Sequence, residues 1–371
     1  MRPGPTPLAS RFDVPAWRPK APALRRAAQA RTPQNAGPRV RGDEVKHAVG
    51  RLWLAGGALA LSLGAAELAF RVLPLGEGPL DIEEIWRAQR TRSPAVVDRT
   101  GVDVGGERFR EEEISEAAFA PGTRRLLFLG DSFTVGAGLL ERSDRFTDRV
   151  ETVLSPGLHV FNAGRGGSNP DRWLRYLELL LPVYRPDAVI AVFFLRNGTL
   201  LGTSLALNRK EIEPIRARAE ARPLYGRSAL LRFFWDRLAW REYTRRFETR
   251  MQRSYLGSPE ERAMWHHQQD ALRAIRDRCR AAGIPFLLVI FPLLLDLNDY
   301  RFHAIEDEIE YFAAGLDIPV FSLTPAFLGR DAREVWVASN DQHPNSEGHR
   351  IAAERLAPRL RDLLEEIERA N

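Results

Sequence analysis

From residue 124 onward the chain is punctuated by five short apolar runs, and this pattern limits its fold more than anything else in it. The runs are RRLLFLG (124–130), HVFNAG (159–164), AVIAVFF between Asp187 and Leu195, PFLLVIF between Ile284 and Pro292, and IPVFSL from Ile318. None alternates between apolar and polar residues. A strand without a polar face has both faces covered, which is the condition of a parallel sheet. The stretches between fit the covering helices. Residues 171–184 carry Trp173, Leu174, Leu177, Leu180 and Leu181 at helical spacing, 264–281 read as a helix, and 346–369 as a closing one. The expected fold is a three-layer α/β/α domain with a doubly wound parallel sheet over residues 121–371. Ligands of such sheets sit at the carboxyl ends of the strands.

Upstream the character changes. Leu52 to Phe70 is an apolar stretch of 19 residues whose single charge, Glu67, lies near its end. A bilayer core needs about 20 residues, so a transmembrane helix is expected within 45–75, with a buried helix or a cleaved signal peptide as the alternatives. Residues 1–51 hold eleven Lys and Arg against three acids, a balance of +8, while the whole chain is only +5. The basic character therefore belongs to the tail over 1–44, rich in Pro, Arg and Ala and expected to be disordered. Two consequences follow. The main domain has no electrostatic case for binding nucleic acid. The positive flank also places the N-terminus in the cytoplasm and everything after residue 75 outside it. Residues 76–120 read as a polar connector. The single cysteine, Cys279, excludes an internal disulfide framework and any multi-cysteine metal site.

One segment breaks the strand–helix alternation. Residues 200–262 are rich in Arg and aromatics, as in LLRFFWDRLAWREYTRRF (230–247). They read as a helical insertion: a helix packed on the domain with its arginines in water, a lid, a membrane-surface helix or a partner face.

Four clusters fall after successive strands. Gly130-Asp131-Ser132 follows the first, so Ser132 stands where a helix begins. Asn162-Ala-Gly-Arg-Gly-Gly167 follows the second, with glycines that permit a tight turn and exposed amides. Asn197 follows the third, where its side-chain N–H can serve an oxyanion. Asp341-Gln342-His343 lies in the loop before the last helix. A serine becomes nucleophilic beside a histidine, and the histidine needs an acceptor on its other nitrogen. In extended backbone, residues two apart face the same way, so Asp341 and His343 can serve one site. Taken singly, each cluster is equally an ordinary cap or loop. His159 and His349 read as structural.

Together the clusters resemble the SGNH (GDSL-like) hydrolase family. LLFLGDSFTVGAGL is similar to its serine block, FNAGRGGSNP to its glycine block, VIAVFFLRNGT to its asparagine block and DQHPNSEGHRIAAERL to its histidine block. The resemblance covers about 121–371. It implies a flavodoxin-like doubly wound sheet and a serine esterase acting through Ser132, His343 and Asp341. It also implies an oxyanion hole of Ser132, Gly167 and Asn197, and neither metal nor organic cofactor. The apolar helix ending in ELAFRVL and the GGERFR segment are similar to bacterial membrane-anchored members. That points to a single-pass protein of the inner membrane, held through residues 52–70, with its catalytic domain on the periplasmic side. The implied substrate is an acyl, here acetyl, ester on a cell-envelope carbohydrate or lipid, or another ester-bearing small molecule or glycan.

Two departures stand out. The family's Gly-x-Asn-Asp is here Leu195-Arg196-Asn197-Gly198. The aspartate often found three residues before the histidine is Asn340, with Asp341 two before, which is the spacing of envelope relatives that handle acetyl groups on polysaccharides. Asp341 is taken as the orienting residue and Asn340 as its fallback. Arg165 and Arg196 are candidate contacts for an anionic substrate. Two other functions use the same crevice: a polysaccharide O-acetyltransferase, and a non-catalytic tethered domain that binds a glycan or partner. A nucleotide-binding domain would explain neither His343 nor Asn197.

Overall fold

The computed structural model describes residues 41–72, 102–109, 116–199, 205–338 and 341–370. Most of the basic tail, most of the connector, residues 200–204 of the insertion and Asn340 lie outside the described residues. The first element is a helix, α1 (Arg41–Val72), which begins inside the stretch read as tail. Within it, Lys46–Val72 is long and apolar enough to cross a membrane.

A small antiparallel hairpin follows, β1 (Val102–Val104) with β2 (Glu107–Phe109). It falls in the stretch read as connector, yet it packs on the domain. Phe109 is buried and meets Phe161 and Tyr176 edge-on, with ring centroids 5.7 and 5.4 Å away. An aromatic ring removed from water in this way stabilises by roughly 1.5–3 kcal/mol, so a single Phe fixes a three-residue strand.

The five apolar runs become β3 (Arg124–Gly130), β4 (Leu158–Gly164), β5 (Ala188–Phe194), β6 (Phe286–Phe291) and β7 (Val320–Ser322). They form one sheet in the order β4-β3-β5-β6-β7, every pair parallel. The chain starts in the interior at β3, steps outward to β4, then returns across β3 to build the other side. That reversal opens a crevice at the carboxyl ends of β3 and β5.

Helices cover both faces. On one, α2 (Ser132–Val135) and α3 (Phe146–Leu154) pack over Phe128 and Phe291, and the closing helix lies against α3. On the other, α4 (Pro170–Tyr184) lies over Phe193, with Trp173 edge-on to that ring. The insertion supplies α5 (Leu205–Glu220) and α6 (Ala229–Leu256). Near its start α6 closes a small separate core with Ile212, Ile215 and Ala219 of α5. Near its end Phe247, Met251 and Tyr255, four apart, enter the main core. After it come α7 (Ala263–Ala281), whose Trp265 packs on Phe193, α8 (His303–Ala314) and α9 (Thr324–Phe327). A second hairpin, β8 (Trp336–Ala338) with β9 (Asp341–Pro344), leads into α10 (Ser346–Ala370).

His349, in the first turn of α10, is fully buried and stacks on Phe146. Its Nδ1 accepts the Phe146 N–H at 3.2 Å, and its buried Nε2 has no partner among the described residues. Burial, with Arg145 and Arg149 nearby, pushes its pKa down to about 3. An unfolded histidine takes up its proton near pH 6.5. Between those values the unfolded chain holds the extra proton, so stability falls as pH falls, by at most about 1.4 kcal/mol per pH unit from this residue. Urea unfolding of the full chain in detergent between pH 6.5 and 4 should show this slope. His349→Asn, which keeps an acceptor for the Phe146 N–H, should flatten it; an unchanged slope would remove His349 from the acid response.

Candidate active site

The crevice is built from strand ends. At the end of β3, Asp131 caps α2 by accepting the Phe133 N–H at 2.9 Å. Ser132, half-buried, opens the helix. Its Oγ lies 3.0 Å from Nε2 of His343, a residue 211 positions away. The imidazole Nδ1 is 2.6 Å from Asp341 Oδ1, which also accepts the His343 backbone N–H at 3.2 Å. A carboxylate only accepts, so Nδ1 carries the ring proton and Nε2 presents its lone pair to the serine hydroxyl. Both Asp341 and His343 stand on β9, where the two-residue period of a strand aims them the same way. The hairpin is pinned by Asn345, whose side chain donates to the Glu334 and Trp336 carbonyls at 2.9 and 3.0 Å. Trp336 Nε1 donates to the Leu294 carbonyl at 2.7 Å. The Phe133 ring, stacked on Phe194, lies 5.6 Å from the imidazole and limits its tilt.

The turn after β4 is tied to the same place. The Gly130 carbonyl accepts the Arg165 N–H at 3.0 Å and the Ser168 hydroxyl at 2.8 Å. Ser168 in turn accepts Trp173 Nε1 at 3.0 Å. Gly167 sits in this exposed turn at φ +72°, which a side chain would strain. Asn162 is buried and fully used: it donates to the Thr134 carbonyl and the Thr147 hydroxyl and accepts the Gly164 N–H. It holds β4, α2 and α3 together.

Asn197 closes the crevice from β5. Its Oδ1 accepts the Phe194 N–H at 2.7 Å, and its Nδ2 donates to Asp131 Oδ2 at 3.0 Å and, at 3.4 Å, to the Ser168 carbonyl. Asp131 is therefore more than a helix cap, since it joins the end of β3 to the turn after β5. Burial pushes its carboxyl up, opposed by the Phe133 N–H, Asn197, His343 and Arg196.

The two arginines differ. Arg165 is ion-paired with Glu107 of β2, so it is turned toward the first hairpin. Arg196 is half-buried between Asp131 and Tyr243 of α6, whose hydroxyl pKa burial raises. The departure at Gly198 has a physical cause. A Cβ there would meet the hydroxyl and ring of Tyr255, and that hydroxyl donates to the Leu195 carbonyl. The insertion thus fills the space beside Gly198. Tyr255 was not singled out in the sequence. The signal available was the spacing of Phe247, Met251 and Tyr255 on one face of a helix. Among the described residues, no group of three or more His, Cys, Asp or Glu is arranged to hold a metal ion.

Comparison with known proteins returns related folds. The chain is similar to a solved structure of TesA at 16% identity and a TM-score of 0.40, covering 65% of this chain and 99% of that one. It is similar at 16% identity and 0.39 to a two-domain esterase active on acetylated mannans, co-crystallised with mannopentaose, over 67% of this chain and 51% of that one. A carbohydrate acetylesterase family member from Sinorhizobium meliloti matches at 13% identity and 0.39, over 66% and 100%. A comparison with curated proteins gives no match. The model of the GDSL-like lipase/acylhydrolase family matches residues 128–351, more than half of the chain and every cluster described above, and the chain belongs to that family.

Proposed function

We propose that this family member is a serine esterase that removes an acyl group, an acetyl in the simplest case, from a carbohydrate or lipid of the cell envelope. The observation that carries the reading is the relay of 3.0 and 2.6 Å from Ser132 through His343 to Asp341. Ser132 Oγ attacks the ester carbonyl carbon while its proton passes to His343 Nε2. The charge now on the carbonyl oxygen is held by the Ser132 and Gly167 N–H groups and by Asn197 Nδ2. The long contact from Asn197 to the Ser168 carbonyl is the one this oxyanion replaces. The C–O bond then breaks, and His343 returns the proton to the leaving alcohol. Asp341 keeps the imidazole in the required tautomer and stabilises its charged form. Water, deprotonated by His343, attacks the acyl-serine and releases the acid. A sugar hydroxyl in place of that water would make the enzyme an O-acetyltransferase, through the same residues.

The envelope setting rests on α1 as a single span with its basic flank inside. That orientation puts the domain on the outer side of the inner membrane. The non-catalytic reading rests on the altered asparagine block, Arg196-Asn197-Gly198, and on the long insertion. Tyr255 gives Gly198 a reason of its own, and Asn197 keeps its bond to Asp131.

Ser132→Ala should abolish fluorophosphonate labelling and hydrolysis of aryl acetates without shifting thermal unfolding; retained turnover would sink the assignment. Asp341→Asn should lower kcat by about ten-thousandfold through the wrong tautomer. Gly198→Asp, although it recreates the family's residue, should block labelling of Ser132, and the pair Gly198→Asp with Tyr255→Ala should restore part of it. Labelling of Gly198→Asp at the parent rate would mean that Tyr255 does not govern position 198.

A further inference from the structure

The domain's own end of α1 is fastened to the insertion. Glu67 accepts the Ala229 N–H at 2.8 Å, the Ser228 hydroxyl at 2.7 Å and the Leu230 N–H at 3.1 Å. The two N–H groups belong to the first turn of α6, whose donors a helix cannot satisfy by itself, and Ser228 is its cap. Arg71 bonds Glu67 at 2.8 Å and the Arg227 carbonyl at 3.0 Å. Phe70 packs on Phe233 with ring centroids 4.7 Å apart. Glu67 and Arg71 are also the first charges in the chain after Arg51. The apolar stretch ends, therefore, at the point where α6 begins.

What surrounds that point is unusual for a water-facing surface. Leu224, Phe234 and Leu238 are each more than half exposed, and Phe234 and Leu238 lie four apart on one stripe of α6. Leu68 and Val72 of α1 are exposed beside them in sequence to the fastened residues. Cations accompany the apolar groups. Arg237 lies 4.5 Å over the Phe233 ring and Arg222 5.1 Å over Trp235, with Arg227 and Arg232 exposed on the same segment. Large apolar side chains flanked by arginines whose stems lie along rings are the make-up of a helix at a lipid–water boundary. Arginine forks match phosphate oxygens there.

We infer that the start of α6 and the loop before it form an interfacial foot, with Leu224, Phe234 and Leu238 in the outer-leaflet boundary and the arginines on lipid phosphates. This rests on the reading of α1 as a membrane span. The foot gives the domain a second membrane contact and a fixed height above the bilayer, where a bare span would leave it free to swing.

The test uses the full chain in vesicles of phosphatidylcholine and phosphatidylglycerol. Single cysteines at Phe234, Leu238, Leu59 and Tyr311 carry a polarity-sensitive fluorophore. The native Cys279 is buried and burial pushes its thiol up to about 12, so it stays unlabelled. Nitroxide lipids labelled at shallow or deep positions quench what they reach. The expected result is deep quenching at Leu59→Cys, shallow quenching at Phe234→Cys and Leu238→Cys, and none at the 80% exposed Tyr311. If Leu59→Cys is quenched while positions 234 and 238 behave like 311, the foot is refuted and the span stands. If Leu59→Cys also escapes quenching, the membrane reading itself fails, and the foot with it.

Discussion

The buried carboxyl of Asp131 is the constraint on which the rest of the crevice depends. It sits between the ends of β3 and β5, where the direction of sheet growth reverses and the strand ends must part. A charged carboxylate taken from water without donors costs several kcal/mol. Here the Phe133 N–H and Asn197 Nδ2 supply the donors, one from each strand's continuation. The bond to Phe133 sets where α2 begins, and so where the Ser132 hydroxyl points. The bond to Asn197 sets the turn after β5. One ionisable group therefore fixes two of the four clusters relative to each other. The Gly130 carbonyl fixes the third, through Arg165 and Ser168.

The fourth cluster comes from far away in sequence and is held differently. His343 reaches Ser132 only because α10 packs along α3 and delivers β9 to the carboxyl edge of the sheet. His349 is the peg of that packing: a neutral imidazole, stacked on Phe146 and bonded to its N–H. The choice of a histidine, where a leucine would fill the volume, follows from the Phe146 amide. That amide lies at the start of α3, where no carbonyl of the helix itself can accept its hydrogen.

The sheet was legible because each strand is a continuous apolar run, and such runs have few alternatives between glycines. The strands lie within two residues of the expected runs, and three of the four clusters follow strands of the main sheet, while Asp341 and His343, expected in a loop, lie within β9 of a separate hairpin. Three features were not legible, each for a physical reason. The hairpin at 102–109 is too short to show a period, and only the burial of Phe109 reveals it. Asp131 looks like any helix cap, because its second bond runs to a residue 66 positions on. The crowding of Gly198 is not visible in the sequence, since the Tyr255 hydroxyl that causes it lies on a helix 57 residues later whose arginines mask its apolar stripe.

The last of these brings the insertion to the site. Helix α6 touches the asparagine block at one end, through Tyr255 on Leu195 and Gly198, and the end of α1 at the other, through Glu67. Its length is about 40 Å at 1.5 Å per residue, which spans the distance between them. Burial of Phe247, Met251 and Tyr255 makes its far end part of the core, so it cannot swing without opening that core. A movable lid would keep its core-facing stripe solvated in one state, at a cost of roughly 1.5–3 kcal/mol for each large side chain. The arrangement favours a fixed helix: the turn that presents Asn197 and the end of the apolar helix are held by the same rigid element, and neither can shift without straining the other.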